Sequence, residues 1–146
     1  MAFATSISKK FALIAEDDAL VRMAAEVILM DAGFEVYQAA TGEEALSVLQ
    51  DIGNDIQVLF TDVQMPPGSL SGFDLAWKCK NQWPHISIVV ASGQISPKPG
   101  ELPESAAFIS KPFSADLVYE QLQKLLPENL QPAPLKDRSD SASRLI

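Results

Sequence analysis

Along the first 126 residues, unbroken apolar runs alternate with helical periods. Phe11-Ala12-Leu13-Ile14-Ala15 is apolar throughout and runs straight into Glu16-Asp17-Asp18. Val58-Leu59-Phe60-Thr61-Asp62 has the same grammar, with a carboxylate closing the run and Met65-Pro66-Pro67-Gly68 behind it. Short apolar runs closed by turn residues predict strands buried on both faces. Phe34 to Ala39 reads as a second strand, Ile86 to Ala91 as a fourth and Ala107 to Ser110 as a short last one. Between the runs the period changes. Val21, Ala24, Ala25, Ile28 and Leu29 share one helical face, and Gly33 supplies the stop signal. Thr41-Gly42-Glu43-Glu44 reads as a capping box opening a helix that buries Ala45, Leu49 and Ile52. Ser71 is placed to cap a helix carrying Phe73, Ala76 and Trp77, closed by Trp83-Pro84. Ser114 caps a last helix with Val118, Leu122 and Leu125 inward.

One stretch breaks the alternation. Gln94 to Ser105 holds Pro97, Pro99, Gly100 and Pro103. Each interior proline costs a helix about 3 kcal/mol, so the fourth helix is expected to be short or absent. The order is strand and helix in turn, which predicts an α/β fold with a doubly wound parallel sheet and helices on both faces. The domain is expected over residues 10–126, with an N-terminal extension at 1–9. From Pro127 the chain turns to Pro, Ser and charge with little left to bury, and 127–146 is expected to be a flexible tail.

Charge narrows the function. The net charge is −8, and the segment from Pro127 balances Glu128, Asp137 and Asp140 against Lys136, Arg138 and Arg144. All of the excess therefore lies in the body. An acidic body argues against nucleic acid or an anionic membrane as partner, and suits a cation or a basic protein. Cys79 is the only cysteine, so no internal disulfide can form. Met1 to Lys10 lacks the apolar core of a signal peptide, and no run is long enough to span a bilayer. A cytoplasmic protein is expected.

The strand ends carry complementary chemistry: Glu16 and Asp17 (with Asp18 next in line), Asp62, Ser92 and Lys111. In a parallel sheet these ends share one edge, the edge where ligands bind. Clustered carboxylates are tolerated when a cation sits among them, and an oxygen-only set in an open site favours Mg²⁺. A metal, a lysine and a hydroxyl around one carboxylate form an electrostatic clamp for a phosphoryl group. Asp62 would be the nucleophile, since aspartate can form an acyl phosphate.

The set Glu16-Asp17, Thr61-Asp62 with Met65-Pro66, Ser92-Gly93 and Lys111-Pro112-Phe113 resembles the receiver domain of two-component response regulators, over about Lys10 to Leu126. The resemblance implies a flavodoxin-like, five-stranded sheet in the order 2-1-3-4-5. It implies phosphoryl transfer to Asp62 from a sensor histidine kinase or a histidine phosphotransfer protein, with Mg²⁺ as cofactor. It implies Glu16 and Asp17 as the acidic pair, Asp17 as the direct metal ligand, and the backbone carbonyl of Gln64 as a further one. Ser92 would hydrogen-bond the phosphate and Lys111 would pair with it. Phe108 stands at the position of the family's switch aromatic, and Pro112 is a candidate for a cis peptide. Output would run through a downstream protein target, a homodimer or a phosphorelay, and the chain resembles a stand-alone receiver. Two departures are visible: the loop at Pro66-Pro67-Gly68 is one residue fuller than the usual pattern, and the fourth helix is weak.

Plainer roles compete at each position. An acidic cluster can simply complement a helix dipole, Asp62 can form a turn before proline, and Lys111 and Ser92 can be loop residues. Phe108 can be core alone, His85 surface, Cys79 an inert thiol, and Trp77 and Trp83 packing residues. Two other functions are carried forward. One is a small Mg²⁺-dependent phosphatase working through an aspartyl phosphate, against which Gln64 stands where such enzymes place a second acid. The other is a degenerate receiver acting only as a binding module.

Overall fold

The computed structural model describes residues 9–66 and 70–144. Its strands are β1 (Phe11–Ala15), β2 (Glu35–Ala39), β3 (Ile56–Asp62), β4 (Ser87–Ser92) and β5 (Ala107–Ser110). The helices are α1 (Ala19–Asp31), α2 (Gly42–Ile52), α3 (Gly72–Gln82), α4 (Ala115–Leu125) and α5 (Ala133–Arg144). The strands form one parallel sheet in the order β2-β1-β3-β4-β5, the flavodoxin-like doubly wound topology. Side chains alternate across it. Ala12, Ile14, Val58 and Phe60 face α1 and α4, and Leu13, Ala15 and Leu59 face α2 and α3. Both faces of the central strands β1, β3 and β4 are covered, which is why those strands are mainly apolar, whereas the edge strand β2 is mostly exposed and carries Glu35 and Gln38.

Local signals start the helices where the sequence puts them. Asp18 caps α1 by accepting from the amides of Leu20 and Val21. Thr41 caps α2, but the box is displaced by one residue, because the Glu44 carboxylate accepts from the Ala40 amide. Ser71 and Asp74 form a complete capping box on α3, and Ser114 caps α4. No helix occurs within 94–105, as its prolines require. No described helix is long and apolar enough to cross a membrane.

The segment after Pro127 differs from expectation. Residues 127–138 are not a loose tail: they turn through a 3₁₀ segment (Glu128–Leu130) and enter α5. Leu135 is fully buried in the cluster formed by α1 and α4. Arg138 lies over the Tyr119 ring, 4.1 Å from its centroid. Gln123 donates to the Leu135 carbonyl at 2.9 Å, and Gln131 donates to those of Gln123 and Leu126 at 3.2 and 3.0 Å. Gly33 makes room for this segment. Its φ of 105° ends α1 in the left-handed region, and a Cβ there would collide with Pro132. One leucine, one cation–π contact and a few side-chain amides are enough to seat a mostly polar helix. Of the N-terminal extension only Lys9 is described, paired with Glu35 at 3.1 Å. The fuller loop at Pro66-Pro67-Gly68 lies, beyond Pro66, outside the described residues.

Cys79 is fully buried on α3, and burial pushes its thiol up to about 12. At pH 8 its thiolate fraction is then lower than that of a free cysteine by roughly a thousandfold. Ellman's reagent is expected to label the native protein only as fast as it opens, and the unfolded protein at once. Rapid native labelling would contradict this burial.

Candidate functional site

Strand order reverses between β1 and β3, and the site lies at the carboxyl ends of that pair. Asp62 is the last residue of β3, and Glu16 directly follows β1. Both are buried. Carboxylate oxygens of Glu16, Asp17 and Asp62 lie within 4.8 Å of one another. Lys111, just beyond β5, reaches across β4 and β3. Its Nζ stands 2.6 Å from Glu16 Oε1 and 3.1 Å from Asp62 Oδ1. The Lys111–Pro112 peptide is cis. Ser92 closes β4, is buried, and its carbonyl accepts from the Lys111 amide at 2.9 Å.

Electrostatics bind these groups together. Burial raises the pKa of Glu16 above the usual carboxylate range, against the opposing pull of its hydrogen bond from Lys111. Burial also works against the charge of Lys111, but the carboxylates of Glu16 and Asp62 outweigh it and hold the ammonium above its ordinary pKa. One ammonium thus stands among three carboxyl groups, paired with Glu16 and Asp62. All three donors are oxygens, the set that a hard divalent cation takes, so the residues fit Mg²⁺.

The structure brings Glu16, Asp17, Asp62 and Lys111 together, with Ser92 on the adjoining strand end. It also separates Asp18 from the acidic pair. Asp18 spends one oxygen on the α1 cap, at 2.9 Å from the Leu20 amide, and its own amide donates to Glu16 Oε2 at 3.1 Å. Arg22 fixes the same turn by donating to the Glu16 carbonyl at 2.8 Å. Gln64 lines a cleft beside Asp17, walled by Met65, Phe73, Ile95 and Glu101. Phe108 is half-buried against the α2–α3 side of the core.

The residues missed in the sequence are the outward apolar ones of α1. Leu20 is 77% exposed, and Met23, Val27 and Met30 are each more than half exposed. They recur at spacings of three and four, one stripe on the helix face opposite Ala25 and Leu29. The stripe begins at a groove lined by Leu20, Val21, Ala24, Lys111, Pro112 and Phe113, beside the carboxylates. A helix apolar on two faces was the available signal.

Residues 12–123 match the response regulator receiver domain family. The chain belongs to that family. This receiver is 33% identical over 119 residues to sensor kinase CckA of Brucella abortus, over 77% of the present chain and 12% of the kinase. The chemotaxis protein CheY4 of Vibrio cholerae superposes on it with a TM-score of 0.69 at 28% identity, over 81% of this chain and 99% of CheY4. A receiver domain protein of Clostridium thermocellum gives 0.67 at 26% identity, over 80% and 93% of the two chains. The receiver spans a small part of its curated relatives' length, 12% of CckA and 16% of the autoinducer kinase CqsS of Vibrio cholerae. Family membership makes it a module of two-component signalling. The family match ends at residue 123, before α5.

Proposed function

We propose that this receiver takes a phosphoryl group on Asp62 from a phosphohistidine of a sensor kinase or a phosphotransfer protein. The observation that carries the proposal is the placement of Lys111 between Glu16 and Asp62, beside a metal-ready trio of carboxylates. In the transfer a carboxylate oxygen of Asp62 forms the new P–O bond, the P–N bond of the donor breaks, and the imidazole leaves with the electron pair. Lys111 neutralises charge on the phosphoryl oxygens. Ser92 offers its hydroxyl to one of them. Glu16, Asp17, Asp62 and the Gln64 carbonyl would hold Mg²⁺, which supplies positive charge against the phosphoryl oxygens when bound. Phe108 is the proposed responder, moving inward as Ser92 turns toward the phosphoryl group.

The exposed α1 stripe supports a protein donor. A contiguous apolar strip beside a buried nucleophile suits docking by another protein surface, and the acidic body favours a basic one. Output by a target protein, a homodimer or relay belongs to the same proposal, as does a cytoplasmic setting.

Incubation with acetyl phosphate tests the chemistry without a kinase. Phosphoryl uptake is expected with Mg²⁺ and is expected to stop on chelation. Hydroxylamine is expected to discharge the adduct, as it does an acyl phosphate. Uptake that survives chelation would contradict the metal's role, and an adduct stable to hydroxylamine would contradict the carboxylate as acceptor.

A further inference from the structure

Two structural arms leave the phosphoacceptor site and meet again at one side chain. The first arm is α3. Its opening residue, Gly72, donates to the Val63 carbonyl at 2.7 Å, and a Cβ at that position would collide with the Asp62 carbonyl. The helix is thus seated directly on the backbone of the nucleophile. The second arm is the segment 94–105, which stands where a helix would complete the α/β alternation. It starts at Ser92, whose Oγ accepts from the Ile95 amide at 3.2 Å. It then folds about Glu101, whose carboxylate accepts from the Lys98 amide at 2.7 Å while its own amide donates to the Lys98 carbonyl at 3.0 Å.

Trp77 of α3 joins the arms. Its Nε1 donates to the Glu101 carbonyl at 3.0 Å. The ring is 40% exposed, so core packing does not account for its position. It walls a groove with Pro97, Leu102 and Pro103 of the loop. Between Ile95 and Glu101, Pro97 and Pro99 restrict φ at two positions, and the paired Lys98–Glu101 hydrogen bonds close the turn across Gly100, so a displacement at Ile95 is passed along the loop to Glu101.

We propose that the Trp77–Glu101 hydrogen bond is a latch that couples α3 to the 94–105 loop, so that phosphorylation is read out on their shared surface. The coupling rests on the phosphoacceptor reading; the latch does not. When the Ser92 hydroxyl turns to donate to a phosphoryl group on Asp62, its Oγ moves relative to the Ile95 amide from which it accepts, and the anchor of Ile95 shifts with it. With the latch closed, the shift of the loop is passed to α3. With it open, the loop responds alone.

Hydrogen exchange read by mass spectrometry on the full chain tests this, comparing wild type with Trp77→Phe. The substitution keeps an aromatic ring against the loop and removes the N–H donor together with part of the indole's contact area. In the resting protein, residues 95–104 of the variant are expected to exchange about fivefold faster than in wild type, the factor that one lost hydrogen bond allows, while β3 is unchanged. Equal exchange would overturn the latch. Mg²⁺ and acetyl phosphate are then added, with intact mass followed in parallel. In phosphorylated wild type, exchange over 72–82 and 95–104 is expected to change together; in phosphorylated Trp77→Phe only 95–104 changes. A phosphorylated wild type whose loop responds without α3 would overturn the coupling. Absence of the mass gain counts against the phosphoacceptor reading and the coupling built on it, and the resting comparison still decides the latch.

Discussion

Replacing Lys111 with methionine is expected to destabilise the metal-free protein and to make it dependent on Mg²⁺. In the native site the ammonium is 2.6 Å from Glu16 and 3.1 Å from Asp62. Without it, the carboxylates of Glu16, Asp17 and Asp62 face one another inside 4.8 Å. Removing one partner of a buried pair typically costs 3–5 kcal/mol. This site is open on one side, so about 2 kcal/mol is expected, or roughly 6 °C in melting temperature for a domain of this size. The loss should grow with pH. Glu16 already holds its proton more tightly than an ordinary carboxyl because it is buried, and loss of the lysine raises its pKa further. A group that binds protons more tightly in the folded state loses stability as pH rises above its unfolded value. The variant is therefore expected to approach wild type near pH 5 and to fall furthest behind at pH 8. Millimolar Mg²⁺ is expected to restore most of the loss at pH 8, because it supplies the missing positive charge. Thermal melts at the two pH values, with and without Mg²⁺, check all of this. A variant insensitive to Mg²⁺ would contradict the carboxylate trio as a cation site.

The second large effect is expected far from the site. Leu135 is fully buried between α1 and α4 although it lies on a mostly polar helix. Leucine-to-alanine changes in a core cost about 2–5 kcal/mol. Here the cost has a ceiling: once it exceeds the free energy that docks α5, the helix detaches and the remaining domain keeps its fold. A loss of about 2–3 kcal/mol is expected for Leu135→Ala, which lowers the urea midpoint by roughly 1 M at the slopes usual for small domains. Arg138→Ala, which removes only the cation over Tyr119, is expected to cost under about 1 kcal/mol. An unchanged midpoint for Leu135→Ala would show that α5 contributes nothing to the folded body.

These two cases mark what was legible in the chain. The sheet could be read because β1 and the Val58–Phe60 centre of β3 are apolar and run into carboxylates, and because both faces of a parallel sheet must be covered. The meeting of Glu16, Asp62 and Lys111 followed from the same rule, since parallel strands put their ends on one edge. Pro97, Pro99 and Pro103 announced the missing helix. The docking of α5 was not legible. Among its described side chains only Leu135 is fully buried, and its seat is made by distant groups: the bare Cα of Gly33, the ring of Tyr119 and the amide of Gln123. No local pattern encodes such a seat. Trp77 misled for a related reason. Its spacing on α3 fits a core residue, yet its partner is a backbone carbonyl of the loop. The outward stripe on α1 escaped because Leu20, Met23, Val27 and Met30 repeat at the same spacing of three and four as the buried face, and the period alone does not tell which of two apolar faces is left exposed.

The central claim is that Asp62 accepts the phosphoryl group, and intact-mass spectrometry of wild type and Asp62→Asn after incubation with Mg²⁺ and acetyl phosphate tests it most directly. One added phosphoryl group is expected on wild type, a gain of about 80 Da, and none on the variant. An Asp62→Asn protein that gains the same mass would contradict the claim.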